Sequence, residues 1–105
     1  MTFQRACGLD EVADGTAIRV EVEGLDVAIV RDGEAIYAIE DECSHAAVAL
    51  SEGDVQGGEI ECWMHGSRFD LRTGKPIGPP ATEPVPVFPV QIDGDDVLID
   101  LGGNA

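Results

Sequence analysis

The chain contains only two histidines, and each lies two or three positions after a cysteine. The first pair is Cys43 and His45, the second is Cys62 and His65, and sixteen residues separate His45 from Cys62. Chance placement of both histidines so near cysteine is improbable in a chain of 105 residues. Thiolate and imidazole ligands together suit zinc, copper or iron–sulfur centres. The four side chains are therefore predicted to hold a metal centre.

The order of these ligands distinguishes between the possible metals. Zinc fingers usually place two cysteines first and two histidines later. Here each segment contributes one cysteine and one histidine, which suits a binuclear cluster with both thiolates on one iron and both imidazoles on the other. A structural zinc domain is a second interpretation, and two buried thiols without metal are a third. The pattern favours the iron–sulfur centre.

The residues around the ligands resemble a known family. The second pair lies in CWMHGS at 62–67, which is followed by FDLRTG at 69–74 and GPPA at 78–81. With the first pair, these motifs resemble the Rieske ferredoxin pattern over the whole chain in layout, and most specifically at 41–82. The resemblance implies an all-β Rieske fold of antiparallel sheets in a single domain over residues 1–105. A small cluster-binding subdomain would be inserted at about 41–82.

The same resemblance assigns roles to the ligands. Cys43, His45, Cys62 and His65 would hold one [2Fe–2S] cluster, with both histidines near the surface where electrons enter and leave. Residues 78–81 would form the proline loop that covers the cluster. Four protein ligands leave no coordination position open for a substrate. The protein is therefore expected to carry electrons and not to act as an enzyme by itself.

Departures from the family pattern predict a low reduction potential. Respiratory members have two further cysteines that link the ligand loops, and this chain has Val48 and Met64 there. Phe69 replaces the family's tyrosine, which donates a hydrogen bond to a ligand sulfur, while Ser67 is kept. A hydrogen bond to sulfur stabilises the reduced state, so losing that bond lowers the potential. Negative charge near the ligands lowers the potential as well, and four acidic residues flank them: Asp41, Glu42, Glu59 and Glu61. A value in the lower part of the Rieske range of about −150 to +300 mV is predicted.

Before the ligand region, the sequence predicts a meander of three strands. Alternating apolar and polar residues, with turn signals between them, place the strands at Thr16–Glu23, Leu25–Arg31 and Glu34–Ile39. The best helical candidate is a short turn near Gly8–Val12.

After the ligand region, the sequence predicts a hairpin. Val85–Ile92 contains Pro86 and Pro89, which predict a strand that is bent or lies at a sheet edge. Asp96–Leu101 is the second strand of the hairpin. The stretch between the two strand groups is predicted to be rich in loops.

The charge balance limits the possible partners. Six Lys and Arg stand against 21 Asp and Glu, for a formal net charge of −15. This field repels phosphate backbones, so no nucleic-acid partner is expected. A partner with a basic patch would be attracted, although solubility or salt adaptation would explain the acidity equally well. No apolar run approaches the roughly 20 residues of a membrane span, and no signal-peptide pattern is present. A soluble cytoplasmic monomer without a membrane partner is expected.

The leading functional hypothesis is the ferredoxin component of a multicomponent system. It would pass single electrons from a flavin reductase to a non-heme iron oxygenase of the ring-hydroxylating type. The alternative is an accessory Rieske subunit, such as a nitrite reductase small subunit or a protein linked to iron–sulfur cluster assembly.

Other side chains receive structural interpretations. Cys7 is predicted to be an inert core residue, and Trp63 to pack the ligand loop. Three basic residues lie at 68–75: Arg68, Arg72 and Lys75. They are interpreted as a solvated strand face rather than a docking site.

Overall fold

The computed structural model describes residues 3–42, 48–63, 66–77 and 83–101. Within these residues, three antiparallel sheets account for all the strands. The strands are β1 (Gln4–Gly8), β2 (Thr16–Val22), β3 (Leu25–Asp32), β4 (Ala35–Glu40), β5 (Asp54–Gln56), β6 (Glu59–Glu61), β7 (Arg68–Asp70), β8 (Pro76–Ile77), β9 (Val87–Phe88), β10 (Val90–Asp93) and β11 (Asp96–Ile99). Two short 3-10 helices are present, at Leu9–Glu11 and Leu50–Glu52.

The predicted meander is confirmed as the centre of the fold. Strands β2, β3 and β4 pair in order, and β9 extends this sheet at the β4 edge. The middle strand is buried continuously at residues 27–30, because both of its faces are covered. Val27 and Ile29 belong to one hydrophobic core, and Ala28 and Val30 belong to the other. The central sheet is therefore the middle layer of three.

The terminal sheet covers one face of the central sheet. It has the order β1–β11–β10, and it joins the two ends of the described chain. Strand β1 was not predicted, because residues 4–8 show little alternation. The single strand predicted at Val85–Ile92 is wrong in extent: the chain leaves the central sheet after β9, passes Pro89, and enters the terminal sheet as β10. Both pieces lie at sheet edges, as the prolines predicted.

The third sheet covers the other face and carries part of the candidate site. Strands β5 to β8 pair in sequence order, each with only two or three residues. The prediction that this region consists of loops is wrong, because strands this short give no periodic signal in a sequence. Their inward side chains Ile60 and Phe69 join Ala28 and Val30 in a shared core.

The remaining predictions outside the site also have outcomes. The helical turn predicted near Gly8–Val12 is confirmed by the 3-10 helix at Leu9–Glu11. Cys7 is buried in the core beneath the terminal sheet, as predicted. Burial, followed by the negative charge of Glu11, raises the pKa of the Cys7 thiol above its ordinary value. This thiol is therefore kept protonated at neutral pH, in agreement with an inert role.

Among the described residues, no helix has the length and apolar character needed to cross a bilayer.

Candidate metal centre

The structure describes one of the four predicted ligands. Cys62 directly follows β6 and is fully buried. Cys43, His45 and His65 lie outside the described residues, as do Met64 and residues 78–82. The described part of the site is therefore Cys62 and the segments that begin and end the three predicted loops.

The segment containing the second ligand pair is closed at its base. The Cys62 amide donates to the Ser67 carbonyl at 2.6 Å, and the Gly66 amide donates to the Cys62 carbonyl at 2.9 Å. These bonds continue the β6–β7 ladder beyond the last paired residues. Gly66 has a φ of +75°, which glycine adopts without a steric penalty. Cys62, Gly66 and Ser67 are therefore held together at the end of the third sheet.

The segment containing the first ligand pair is also closed at its base. Asp41 follows β4, and its buried carboxylate accepts hydrogen bonds from the Ser51 amide and hydroxyl, both at 2.7 Å. Arg19 Nε lies 3.3 Å from the same carboxylate. Buried charges are stable when they are paired and hydrogen-bonded in this way. Residues 41 and 51 are thus held together on either side of Cys43 and His45 in the sequence.

The two closed segments meet in one core. Leu50 is buried beside Cys62 and Phe69, and Val48 packs against the same cluster of side chains. Gly53 lies so close to the Glu61 carbonyl that a Cβ atom there would be 1.7 Å from the oxygen. The bases of both ligand segments are therefore packed together at one end of the third sheet.

A third backbone contact, between Gly74 and Val85, joins the two ends of the segment that contains the predicted proline loop. The Val85 amide donates to the Gly74 carbonyl at 2.9 Å. Gly74 has a φ of +77°, and a Cβ atom there would lie 2.0 Å from the Val85 carbonyl oxygen. Only glycine satisfies both conditions. Residues 75–84, which include the predicted proline loop, are therefore anchored at both ends.

Charges beside Cys62 are more balanced than the sequence suggests. Arg68 Nε lies 2.6 Å from Glu59, and its Nη1 lies 2.9 Å from Glu61. The hydrogen bond to Glu59 raises the pKa of Arg68 above its ordinary value. Cross-strand pairing of Glu61 with Arg68 brings these groups together. The acidic contribution to a low potential is smaller than the sequence analysis assumed, because Arg68 offsets these carboxylates and Arg19 offsets Asp41.

The sequence also led to predictions for the basic residues at 68–75 and for Trp63. The strand-face interpretation is confirmed for Arg68 by these cross-strand ion pairs. It is wrong for Arg72 and Lys75, which are exposed in the connection between β7 and β8. Trp63 is 52% exposed. The prediction that it packs the ligand loop stays a prediction, because much of that loop lies outside the described residues.

The described residues fit an iron–sulfur cluster. Cys62 is buried among apolar side chains rather than open to solvent, and thiolates are the protein ligands that such clusters use. Ser67 is fully buried five positions after Cys62. The fold is that of a small all-β protein in which a buried cysteine and the closed bases of both predicted ligand segments lie together at one end of the third sheet.

Comparison with known proteins names the family. The chain matches the family model of the Rieske [2Fe–2S] domain over residues 2–89. It is 45% identical to the biphenyl dioxygenase ferredoxin subunit of Pseudomonas sp. strain KKS102, with 100% of this chain and 97% of the relative covered. It is 40% identical to the ferredoxin component of the naphthalene 1,2-dioxygenase system of Pseudomonas aeruginosa, with 91% and 92% covered. The chain belongs to the Rieske [2Fe–2S] domain family.

Solved structures agree with this assignment. The ferredoxin of carbazole 1,9a-dioxygenase from Nocardioides aromaticivorans IC177 is 40% identical, with a TM-score of 0.88 over 94% of this chain and 97% of that one. A protein described as the small subunit of an NADH-dependent nitrite reductase from Mycobacterium tuberculosis has a TM-score of 0.80 over 93% of each chain. At 23% identity, that second likeness shows a shared fold alone.

The main predictions are therefore confirmed. The family, the all-β fold of antiparallel sheets and the [2Fe–2S] cofactor are as predicted. The relatives are ferredoxins, so the prediction of an electron carrier that is not itself an enzyme is also confirmed.

Substituting Phe69→Tyr tests the prediction of a low potential. Phe69 is fully buried in the same core as Cys62, and it lacks a hydroxyl that could donate to sulfur. A donated bond that is tenfold more favourable in the reduced state raises a one-electron potential by about 59 mV. We expect protein-film voltammetry to show a rise of about this size. Phe88→Tyr, in the other core, is the matched control and should leave the potential unchanged. An unchanged or lower value for Phe69→Tyr alone would contradict the assigned role of residue 69.

Proposed function

We propose that this protein is the ferredoxin component of a ring-hydroxylating oxygenase system. It accepts one electron at a time from a flavin reductase and delivers it to the terminal oxygenase. The observation that carries this proposal is the end-to-end similarity to the biphenyl dioxygenase ferredoxin subunit, at 45% identity. The match covers 97% of that relative, so the similarity extends over nearly its whole length. A ferredoxin 37% identical to this chain has been solved in complex with the oxygenase of carbazole 1,9a-dioxygenase.

The proposed ligands are Cys43 and Cys62 on one iron and His45 and His65 on the other. The buried position of Cys62 and the closed bases of the two ligand segments support this set. The cluster supplies reversible one-electron reduction when bound. Two neutral imidazoles in place of two thiolates make the site less negative, which eases the entry of an electron relative to all-cysteine ferredoxins.

The remaining parts of the proposal concern organisation and location. Residues 1–105 form one domain, with the cluster-binding subdomain at about 41–82. Support comes from the strand order. Strands β5 to β8 follow β4 and precede β9 in the sequence, and they form a sheet of their own, whereas β4 and β9 pair with each other in the central sheet. We place the protein in the cytoplasm, since a reducing compartment keeps Cys43 and Cys62 as thiols available to iron.

Reconstituted electron transfer tests this function. The aerobically purified protein should be red-brown, and dithionite should produce the low-average-g electron paramagnetic resonance signal of a Rieske cluster. Mixed with the reductase and oxygenase of the Pseudomonas sp. strain KKS102 biphenyl system, it should support substrate-dependent NADH oxidation. Turnover should fall as salt rises, because the net charge of −15 steers the encounter. A reduced protein that the oxygenase cannot reoxidise would contradict the proposed function.

A further inference from the structure

The exposed surface carries one large apolar side chain beside a proposed ligand. Among the described residues, the large hydrophobic side chains that are exposed are Trp63, Ile77 and Ile92. Trp63 is the largest of them, and it directly follows Cys62, which is fully buried. The chain therefore passes from the cluster to the outer surface within one residue. Exposed tryptophan has a substantial cost, since its ring surface remains in contact with water.

Trp63 lies outside the two hydrophobic cores that the described residues form. Val48 and other partly buried residues of that part of the chain do pack against those cores. The Cys62–Ser67 and Gly66–Cys62 hydrogen bonds anchor the described backbone before and after this part of the chain. Exposed tryptophan is among the residue types most enriched in the binding hot spots of protein interfaces.

The charge of the chain indicates the partner's chemistry. The sequence has 21 Asp and Glu against six Lys and Arg, for a formal net charge of −15. An exposed apolar side chain on a strongly acidic protein is complementary to a basic surface that has an apolar recess.

We propose that Trp63 is the apolar anchor of the interface with the electron-accepting oxygenase. This inference rests on the proposed function and adds the residue that holds the complex together. Insertion of the indole into a recess of the oxygenase removes it from water and brings Cys62 close to the partner, because the two residues are adjacent. The net negative charge of the chain steers the approach, and the indole determines how long the complex lasts.

Binding and kinetics with the oxidised and reduced holoprotein test the proposal. Trp63→Ala should raise both the Kd and the KM for the KKS102 oxygenase by about 10-fold to 30-fold, as loss of an interface hot spot does. The visible spectrum and the midpoint potential should stay unchanged, since Trp63 is not a ligand. Trp63→Phe should restore most of the affinity. Ile92→Ala is the matched control: Ile92 is 44% exposed, but it lies on the terminal sheet, which carries no proposed ligand.

A measurement on the unsubstituted protein covers the case in which Trp63→Ala fails to bind the cluster. Trp63 is the chain's only tryptophan, so 5-fluorotryptophan labelling gives one ¹⁹F resonance. We expect unlabelled oxygenase to shift or broaden that resonance saturably. No change at saturation would overturn the proposal, as would a KM within twofold of the unsubstituted value for Trp63→Ala. An effect on the reductase KM alone would also overturn it. Failure of the proposed function is distinguishable, because the unsubstituted protein would then transfer no electrons to the oxygenase.

Discussion

Replacing Cys62 with alanine is expected to abolish cluster binding. Of the four proposed ligands, Cys62 is the one that lies among the described residues. It is fully buried, and its backbone is hydrogen-bonded to Gly66 and Ser67. Without its thiolate, one iron loses half of its protein ligands, and metal binding at such a site is part of the folding free energy. Iron and acid-labile sulfide analysis should give about two of each per chain before the substitution and none after it. The visible absorption should disappear as well.

The chain provides a closely matched control for this substitution. Cys7 is also a buried cysteine, but it lies in the core beneath the terminal sheet. Cys7→Ala should lower stability through the cavity it leaves and retain the full iron content. Cys43→Ala, His45→Ala and His65→Ala should behave like Cys62→Ala. Full iron content in Cys62→Ala, or loss of iron in Cys7→Ala, would contradict the proposed ligand set.

Replacing Gly53 with alanine is expected to cause a large loss of stability without touching a ligand. The new Cβ atom would lie 1.7 Å from the Glu61 carbonyl oxygen, so the backbone must move where β6 leads into Cys62. Overpacking that displaces backbone costs about 3 kcal/mol. In a domain of this size, that loss corresponds to a fall of about 12 °C or more in thermal midpoint. The measurement is the temperature at which the cluster absorption is lost.

Gly57→Ala separates this contact from a general effect of removing glycine. Gly57 has a φ of +62°, but a Cβ atom there meets nothing within 4 Å. Its substitution should cost only about 1 kcal/mol of conformational strain. Equal thermal shifts for the two variants would show that the approach of Gly53 to Glu61 does not support the site.

The sequence predicted the site's chemistry better than its architecture. Two histidines beside two cysteines are a sparse and specific signal, so the cofactor class followed from the ligands. The meander followed from regular alternation between turn signals. Strands β5 to β8 could not be predicted, because they are shorter than the period that reveals a strand.

Long-range pairings were also beyond the sequence. The Asp41 carboxylate accepts hydrogen bonds from Ser51, ten positions away, and pairs with Arg19 from β2. Nothing in the sequence near Asp41 indicates either partner. The same applies to Arg68, whose carboxylate partners become neighbours only through the β6–β7 register. For this reason the acids beside the ligands were treated as uncompensated charges, although the fold neutralises much of their effect.

The three closures at the base of the site have a consequence for the speed of electron transfer. Asp41 is joined to Ser51, Cys62 to Ser67, and Gly74 to Val85, so each segment leading to the centre starts and ends on fixed backbone. We expect a cluster bound between such anchored segments to change its nuclear geometry little when its charge changes, and so to have a small reorganisation energy, as preorganised polar sites do. Electron transfer would then fit within a brief encounter, and the arrival and departure of each partner would limit the rate.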